Sequence, residues 1–193
     1  MSAYNLVLFV HVLGALALFV TTGIGQLVLA RLRRAKTVAQ ARDWLEVAQG
    51  VAKVEPLVAL VLLGAGLYLT TTAWGWRVAW IDVALGGLLT VVVIGSAVGG
   101  PRVATRARAA AEAPEGPIPA ALRTWLDDPV LWTLARATAA LEVGIVYLMV
   151  VKPGLPGALA ALGVALALGL ASAAPRWRGA KAISPATGAP ARG

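Results

Sequence analysis

The chain has 193 residues, of which 59% are hydrophobic and 13% charged, and its mean hydropathy is +0.79. Because about a quarter of the residues in soluble domains are charged, this composition excludes an ordinary soluble protein and indicates a polytopic membrane protein. The absence of cysteine excludes disulfides, thiolate metal sites and cysteine nucleophiles. The net charge of +8 comes from basic residues that flank apolar segments. That placement indicates anionic lipids, and not nucleic acid, as the partner.

The first apolar segment runs from about residue 5 to residue 30 and ends in a basic cluster that includes Arg31 and Lys36. A cleaved signal peptide carries basic residues before an apolar core of about 7–15 residues. Here the apolar segment is longer and the basic residues follow it, so we expect a retained span with its N-terminus outside. Residues 35–52 mix charged residues with alanine and valine, which predicts a short amphipathic helix at the inner interface.

Glu55 and Pro56 predict the start of the second span, which covers about residues 57–73. Proline is tolerated in the first turn of a helix, and an acid there complements the helix dipole. Tryptophans crowd the short external turn that follows, as in an aromatic belt. They are Trp74, Trp76 and Trp80.

The third span covers about residues 78–99 and is expected to stop at Gly100 and Pro101, because proline does not continue a regular helix. Residues 101–129 form the longest polar connection. Its four arginines and its prolines at positions 114, 117 and 119 predict an irregular cytoplasmic loop.

Asp128 is available as the N-cap of the fourth span, about residues 130–151, and Pro129 suits the first helical position. An alanine- and glycine-rich fifth span covers about residues 157–174. The tail, residues 175–193, is expected to be disordered and cytoplasmic.

The distribution of basic residues predicts the topology. Fourteen of the seventeen lysines and arginines fall after the first span, after the third span or in the tail. The positive-inside rule assigns these segments to the cytoplasm. The sequence therefore predicts an all-α transmembrane helix bundle with five spans, the N-terminus out and the C-terminus in.

Two ionisable side chains lie deep within the predicted spans. By helical rise, His11 lies roughly 9 Å below the outer end of the first span, and Glu142 lies roughly 13 Å below the outer end of the fourth. A charged group at mid-membrane costs at least about 2.5–3.5 kcal/mol, so each requires a partner or a function. His11 shares a helix face with Gly14 and Thr22, so it is expected to face the bundle. The sequence predicts a His11–Glu142 contact that Asp82 is near enough to join.

Two interpretations of this pair stay open. Either it ties two helices together, which contributes about 0.6 kcal/mol on average, or it carries a proton or holds a cofactor. Neutral His11 is a candidate axial ligand of haem b, with Glu142 orienting the other ring nitrogen. One histidine, two methionines and no cysteine are too few ligands for a tight copper or zinc site.

Other polar side chains in the spans have structural interpretations. Thr138 shares a helix face with Glu142. Arg136 is either an anchor that extends to the interface or a buried partner of Gln26 or Glu55.

Gly95 and Gly99 form a small-residue pattern on the third span, which predicts either a packing seam within the chain or a homo-oligomer contact. The sequence contains no phosphate loop, nucleophile elbow, metalloprotease helix or nucleic-acid module. We therefore expect a non-enzymatic membrane protein with a structural or transport-supporting role. The alternative is a haem-b-binding or proton-relaying redox protein that uses His11 and Glu142.

Three short stretches carry a resemblance to a known family: His11-Val-Leu-Gly14-Ala, Gly23-Ile-Gly25 and Val146-Tyr-Leu-Met-Val-Val-Lys152-Pro-Gly154. With them the chain resembles the bacterial integral-membrane family called domain of unknown function 2269. The resemblance implies a small multi-span protein of the bacterial inner membrane. More distantly, His11 is similar to the first-helix histidine of the copper-resistance membrane proteins and of the membrane protoporphyrinogen oxidases. Those families have further histidines or a lysine partner, whereas this chain has no second histidine.

Overall fold

The computed structural model describes residues 2–183, with side chains as far as Ala174. This part of the chain is all-helical. Five helical segments are long and apolar enough to cross a membrane: Ala3–Arg34, Val38–Trp74, Ala79–Glu112, Ala120–Val151 and Leu155–Ala174. The predicted all-α architecture with five spans is confirmed.

The helices follow one another with short connections, and two of them pass into π-helical turns. In chain order the elements are α1 (Ala3–Arg34), α2 (Val38–Leu69), the first π-turn (Thr70–Trp74), α3 (Ala79–Val93), the second π-turn (Ile94–Gly99), α4 (Gly100–Glu112), α5 (Ala120–Leu126), α6 (Pro129–Val151) and α7 (Leu155–Ile183).

The predicted break between an interfacial helix and the second span is wrong. Residues 38–69 form one helix with Pro56 in its interior. The stretch before Pro56 is rich in alanine and other good helix formers, so the helix is already established when it reaches the proline. Helices in membrane proteins tolerate proline because neighbouring groups satisfy the freed carbonyl.

The predicted end of the third span at Gly100 and Pro101 is also wrong. The helix continues through the second π-turn into α4, and the Gly100 amide donates to the Gly95 carbonyl. A π-turn contains one extra residue, which widens the helix just before the proline. The predicted loop at residues 101–129 therefore contains most of α4 and all of α5.

The residues between α4 and α5 pair with the α1–α2 connection. The Val38 amide donates to the Gly116 carbonyl at 3.0 Å, and the Ile118 amide donates to the Lys36 carbonyl at 3.3 Å. These bonds hold the segment between α4 and α5 in place, although its prolines predicted an irregular loop.

Helix α6 begins as its sequence predicts. The Asp128 carboxylate accepts a hydrogen bond from the Val130 amide at 2.8 Å, with Pro129 in the first turn. Helix α7, in contrast, continues to Ile183. The predicted disorder from residue 175 is thus wrong as far as residue 183, where arginine, lysine and alanine favour a helix. Residues 184–193 of the predicted tail lie outside the described residues.

Buried apolar residues form clusters at the two ends and the middle of the bundle. At the basic end, defined by Arg31–Lys36 and α4, the cluster includes Val28, Leu45 and Leu126. At the tryptophan end, defined by Trp74 and Trp80, Trp80 packs with Ala84, Leu148 and others. The central cluster is Leu18, Leu62 and Leu88.

Two arginines at the basic end bind the carbonyl groups at the ends of helices. Arg42 donates to the Ala110 and Ala113 carbonyls at the end of α4, at 2.8 and 2.7 Å. Arg123 donates to the Arg33 carbonyl at 3.2 Å and to the Ala35 carbonyl at the end of α1. The last carbonyls of a helix lack intrahelical partners and carry partial negative charge, so a guanidinium there is favourable.

A third arginine, Arg106, joins α4 to α5 and α6. It is 6% exposed, donates to the Asp128 carboxylate at 2.5 Å and donates to the Trp125 carbonyl at 2.7 Å. Arg42, Arg106 and Arg123 together form what we call the arginine clasp.

Loss of the Arg106 ion pair should destabilise the protein strongly. Arg106→Ala leaves the Asp128 carboxylate partly buried without its cation, and breaking such a pair costs about 3–5 kcal/mol when it is fully buried. The midpoint of thermal unfolding in detergent is expected to fall by several degrees. Arg108→Ala, an exposed arginine on the same helix, is the matched control. Equal midpoints for the two variants would contradict this role.

Helix α7 approaches the backbone of α6 closely at Gly169. A Cβ at Gly169 would lie 2.8 Å from the Arg136 carbonyl oxygen and 3.0 Å from the Ala137 Cα, both backbone atoms. Because the backbone of α6 cannot move aside as a side chain can, only glycine fits this position.

Gly169→Ala is therefore expected to separate α6 from α7 and to cost about 1–3 kcal/mol. Gly163→Ala is the control on the same helix, since its new Cβ would meet nothing within 4 Å. Thermal unfolding of both variants in detergent measures the difference, and a Gly169→Ala midpoint equal to that of Gly163→Ala would refute the close contact.

Candidate functional site

Two cavities lie one after the other along α1. The tryptophan-side cavity has a volume of about 390 Å³ and is lined by residues that include His11, Trp74 and Glu142. The arginine-side cavity has a volume of about 340 Å³ and is lined by residues that include Thr22 and Glu55. On α1, residues 4–19 line the first cavity and residues 18–32 line the second.

A layer of leucines lies where the two cavities meet. Leu18 lines both of them, and it packs against Leu62 and Leu88 in the central cluster. All three are buried, with exposed fractions of 4%, 7% and 9%. Leu18 therefore lies at the boundary of the two cavities, and Leu62 and Leu88 line the tryptophan-side cavity beside it.

A hydrogen bond connects the cavities beside this layer. The Thr22 hydroxyl, in the arginine-side cavity, donates to Oε1 of Glu142, in the tryptophan-side cavity, at 2.6 Å. Glu142 is 2% exposed. Its second oxygen, Oε2, is buried and has no hydrogen-bond partner among the described residues.

The antiparallel packing of α1 against α6 determines which residues meet. Thr22 lies opposite Glu142, and the Gln26 amide donates to the Ala135 carbonyl at 2.8 Å one turn further along. In this register His11 is eleven residues, or roughly 16 Å, from Thr22 along α1. The predicted contact between His11 and Glu142 is therefore not formed, although both residues line the tryptophan-side cavity. The prediction compared the depths of the two residues, counted from the ends of their helices, and these depths do not determine the register between the two helices.

His11 instead binds the backbone of α2. Its Nδ1 lies 3.2 Å from the Leu62 carbonyl oxygen. A carbonyl only accepts hydrogen bonds, so Nδ1 carries a proton and the lone pair of a neutral ring is on Nε2. The ring lies against Gly66, where a Cβ would come within 3.2 Å of Cε1.

Aromatic rings and a lysine form the rim of the tryptophan-side cavity. The Lys152 ammonium lies 4.3 Å from the ring centroid of Trp74 and 5.9 Å from that of Trp80. The two indole rings meet edge to face, with centroids 5.2 Å apart. Lys152 is the only charged residue of the α6–α7 turn, and cation–π attraction holds its ammonium group over the rim of the cavity.

Three other predicted site residues form no hydrogen bond or ion pair with the Glu142 carboxyl group. Asp82 is exposed in the first turn of α3 and lines neither cavity. Arg136 is exposed and lies over the Trp132 ring at 5.1 Å, so it pairs with neither of its two predicted partners. Thr138 donates to the Leu134 carbonyl of its own helix and lines the arginine-side cavity.

Glu55 lies in the wall of the arginine-side cavity next to the second π-turn. A Cβ at Gly95 would lie 3.3 Å from Oε1 of Glu55, so this glycine leaves room for the carboxyl group. Gly99 lines the same cavity. These placements give both glycines a role within the chain, and the homo-oligomer contact stays a prediction.

Sequence reasoning missed Thr22 as the partner of Glu142, and it missed both π-turns. Thr22 was visible as the hydroxyl residue on the small face of the first span. Each π-turn contributes residues to one cavity: Thr70 and Trp74 on the tryptophan side, Gly95 and Ser96 on the arginine side. π-Helical turns are frequent at functional sites.

Comparison with known proteins gives one similarity. Residues 5–153 match the family described as "Predicted integral membrane protein (DUF2269)". Neither the curated proteins nor the solved structures include a match to this chain.

Proposed function

We propose that this chain, which belongs to the DUF2269 family of predicted integral membrane proteins, supports proton transport across a bacterial cytoplasmic membrane. Glu142 is the proton carrier in this proposal. The observation that carries it is the position of the Glu142 carboxyl: 2% exposed, between two cavities, with Oε2 unpaired among the described residues. Buried ionisable groups in membrane spans mark proton relays and ion paths.

In the proposed orientation the N-terminus is outside and the basic end faces the cytoplasm. The exposed bases at that end, such as Arg31, Arg34 and Lys36, follow the positive-inside rule and contact anionic lipids. The arginine-side cavity then opens toward the cytoplasm, and the tryptophan-side cavity opens toward the outside.

A proton suits this position better than a metal ion does. Among the described residues, no three His, Cys, Asp or Glu side chains come together to hold a metal ion. Thr22 and Glu142 supply three oxygen atoms, whereas hard cations take about six or more ligands. A proton needs one lone pair at each step, and a hydroxyl both donates and accepts. The Thr22–Glu142 bond therefore provides a polar step past the leucine layer.

Replacement of Glu142 distinguishes a role in proton transport from a purely structural role. Glu142→Gln keeps the size of the side chain and an oxygen that accepts from Thr22, but it cannot carry a proton at neutral pH. In proteoliposomes with an imposed pH gradient, proton flux is expected to fall about tenfold or more. Asp82→Asn, an exposed acid that lines neither cavity, is the control and should keep the wild-type flux. If Glu142→Gln keeps the wild-type flux, Glu142 does not carry the proton and only connects two helices.

A second candidate function is haem b binding through His11. The hydrogen bond from Nδ1 to the Leu62 carbonyl is the arrangement in which metal-binding histidines donate their other nitrogen to an acceptor. Nε2 would then hold the iron, and aromatic and aliphatic side chains of the tryptophan-side cavity would supply apolar surroundings. Bound haem would supply one-electron chemistry. As the single histidine of the chain, His11 would be its one imidazole ligand for the iron.

Haemin titration tests this second candidate. If His11 is an axial ligand, wild-type protein in mild detergent develops a Soret band that His11→Ala loses, while Thr70→Val, a change elsewhere in the same cavity, keeps it. Identical spectra for wild type and His11→Ala would remove haem binding at this residue.

A further inference from the structure

We propose that Glu55 is the group that exchanges the transported proton with the arginine-side cavity. This inference rests on the proposed function of Glu142 and assigns the next carboxyl along the path. Glu55 belongs to α2 and Glu142 to α6, so the path passes from one helix to another through Thr22 of α1.

The surroundings of Glu55 leave its carboxyl group available. It is half-buried in the wall of the arginine-side cavity, and it has no hydrogen bond or ion pair with any side chain or backbone group in residues 2–174. A carboxyl in that position either costs free energy or serves a purpose. The cavity, at about 340 Å³, has room for several waters at about 30 Å³ each.

The second π-turn shapes this part of the cavity. Gly95, its second residue, faces Oε1 of Glu55, and Ser96 and Gly99 of the same turn also line the wall. A side chain at position 95 would push against the carboxyl. The glycine at position 95 of the π-turn therefore leaves room for the Glu55 carboxyl group in the cavity wall.

Other charged groups at the two cavities are accounted for. Arg106, in the wall of the arginine-side cavity, is occupied by Asp128. The titratable and charged groups on the tryptophan side are Tyr4, His11, Glu142 and Lys152. Glu55 is thus the one carboxyl among the described residues that line the arginine-side cavity.

The proton transfer requires no covalent change beyond O–H bonds. A proton first binds Glu142 from the tryptophan-side cavity. The Thr22 hydroxyl then turns away from Oε1 of Glu142, donates its own proton to a water in the arginine-side cavity and accepts the proton of Glu142 on its oxygen. That water passes a proton to Glu55, and Glu55 releases it toward the basic end. The Thr22 hydroxyl turns back, and Glu142, Thr22, the water and Glu55 are then in their starting states after one proton has crossed.

The test is proton flux in proteoliposomes under an imposed pH gradient, with four variants beside the wild type. Glu55→Gln is expected to reduce the flux about tenfold, and Glu55→Asp, which keeps a carboxyl group, is expected to restore much of it. Glu46→Gln is the matched control, an exposed acid on the same helix. Glu142→Gln reports on the proposed function itself.

A fold control keeps the result interpretable. Labelling of Glu142 by dicyclohexylcarbodiimide, detected by mass spectrometry, should persist in Glu55→Gln if the variant retains the native tryptophan-side cavity. Lost flux with retained labelling supports Glu55 as a proton carrier. Wild-type flux in Glu55→Gln together with lost flux in Glu142→Gln overturns this inference alone. Wild-type flux in both variants overturns the proposed function as well.

Discussion

A carboxyl group that is 2% exposed inside an apolar bundle needs a polar partner, and the hydrogen bond from Thr22 is the partner that this chain provides. The free energy of one such bond between transmembrane helices is modest, at best about 1.7 kcal/mol. The Thr22–Glu142 bond matters mainly for how the helices pack. Together with the bond between Gln26 and Ala135, it fixes the register of α1 against α6. That register places the two cavities on opposite sides of the leucine layer and brings Thr22, and not His11, to Glu142.

The basic end of the molecule supports this arrangement. Helix α1 has 32 residues, or about 48 Å, whereas the hydrocarbon core of a bilayer is about 30 Å thick. Parts of the long helices therefore extend beyond the apolar layer, where their terminal carbonyls need partners. The arginine clasp provides these partners, and its member Arg106 also lines the arginine-side cavity. The ordered helices at this end hold the wall that contains Glu55.

The sequence was sufficient for what depends on apolar length and on local capping. It predicted the number of spans, five, and it identified Asp128 as the N-cap of α6. It failed where a helix continues through a proline, at Pro56 and Pro101, because neighbouring helices and a π-turn accommodate the missing amide. Glu142 stood out as an acid within a span. Its partner did not, because helix register depends on how two helices pack and not on depth counted from their ends.

Proton transport through Glu142 requires two cavities that open to opposite sides of the membrane. Because the chain has no cysteine, single cysteines can be labelled without background. Ala15→Cys lies in the tryptophan-side cavity and Ala52→Cys in the arginine-side cavity. With a membrane-impermeant maleimide and vesicles of known orientation, Ala15→Cys should react only from the outside and Ala52→Cys only from the cytoplasmic side. Labelling of both from the same side, or of neither from either side, would contradict this route for the proton.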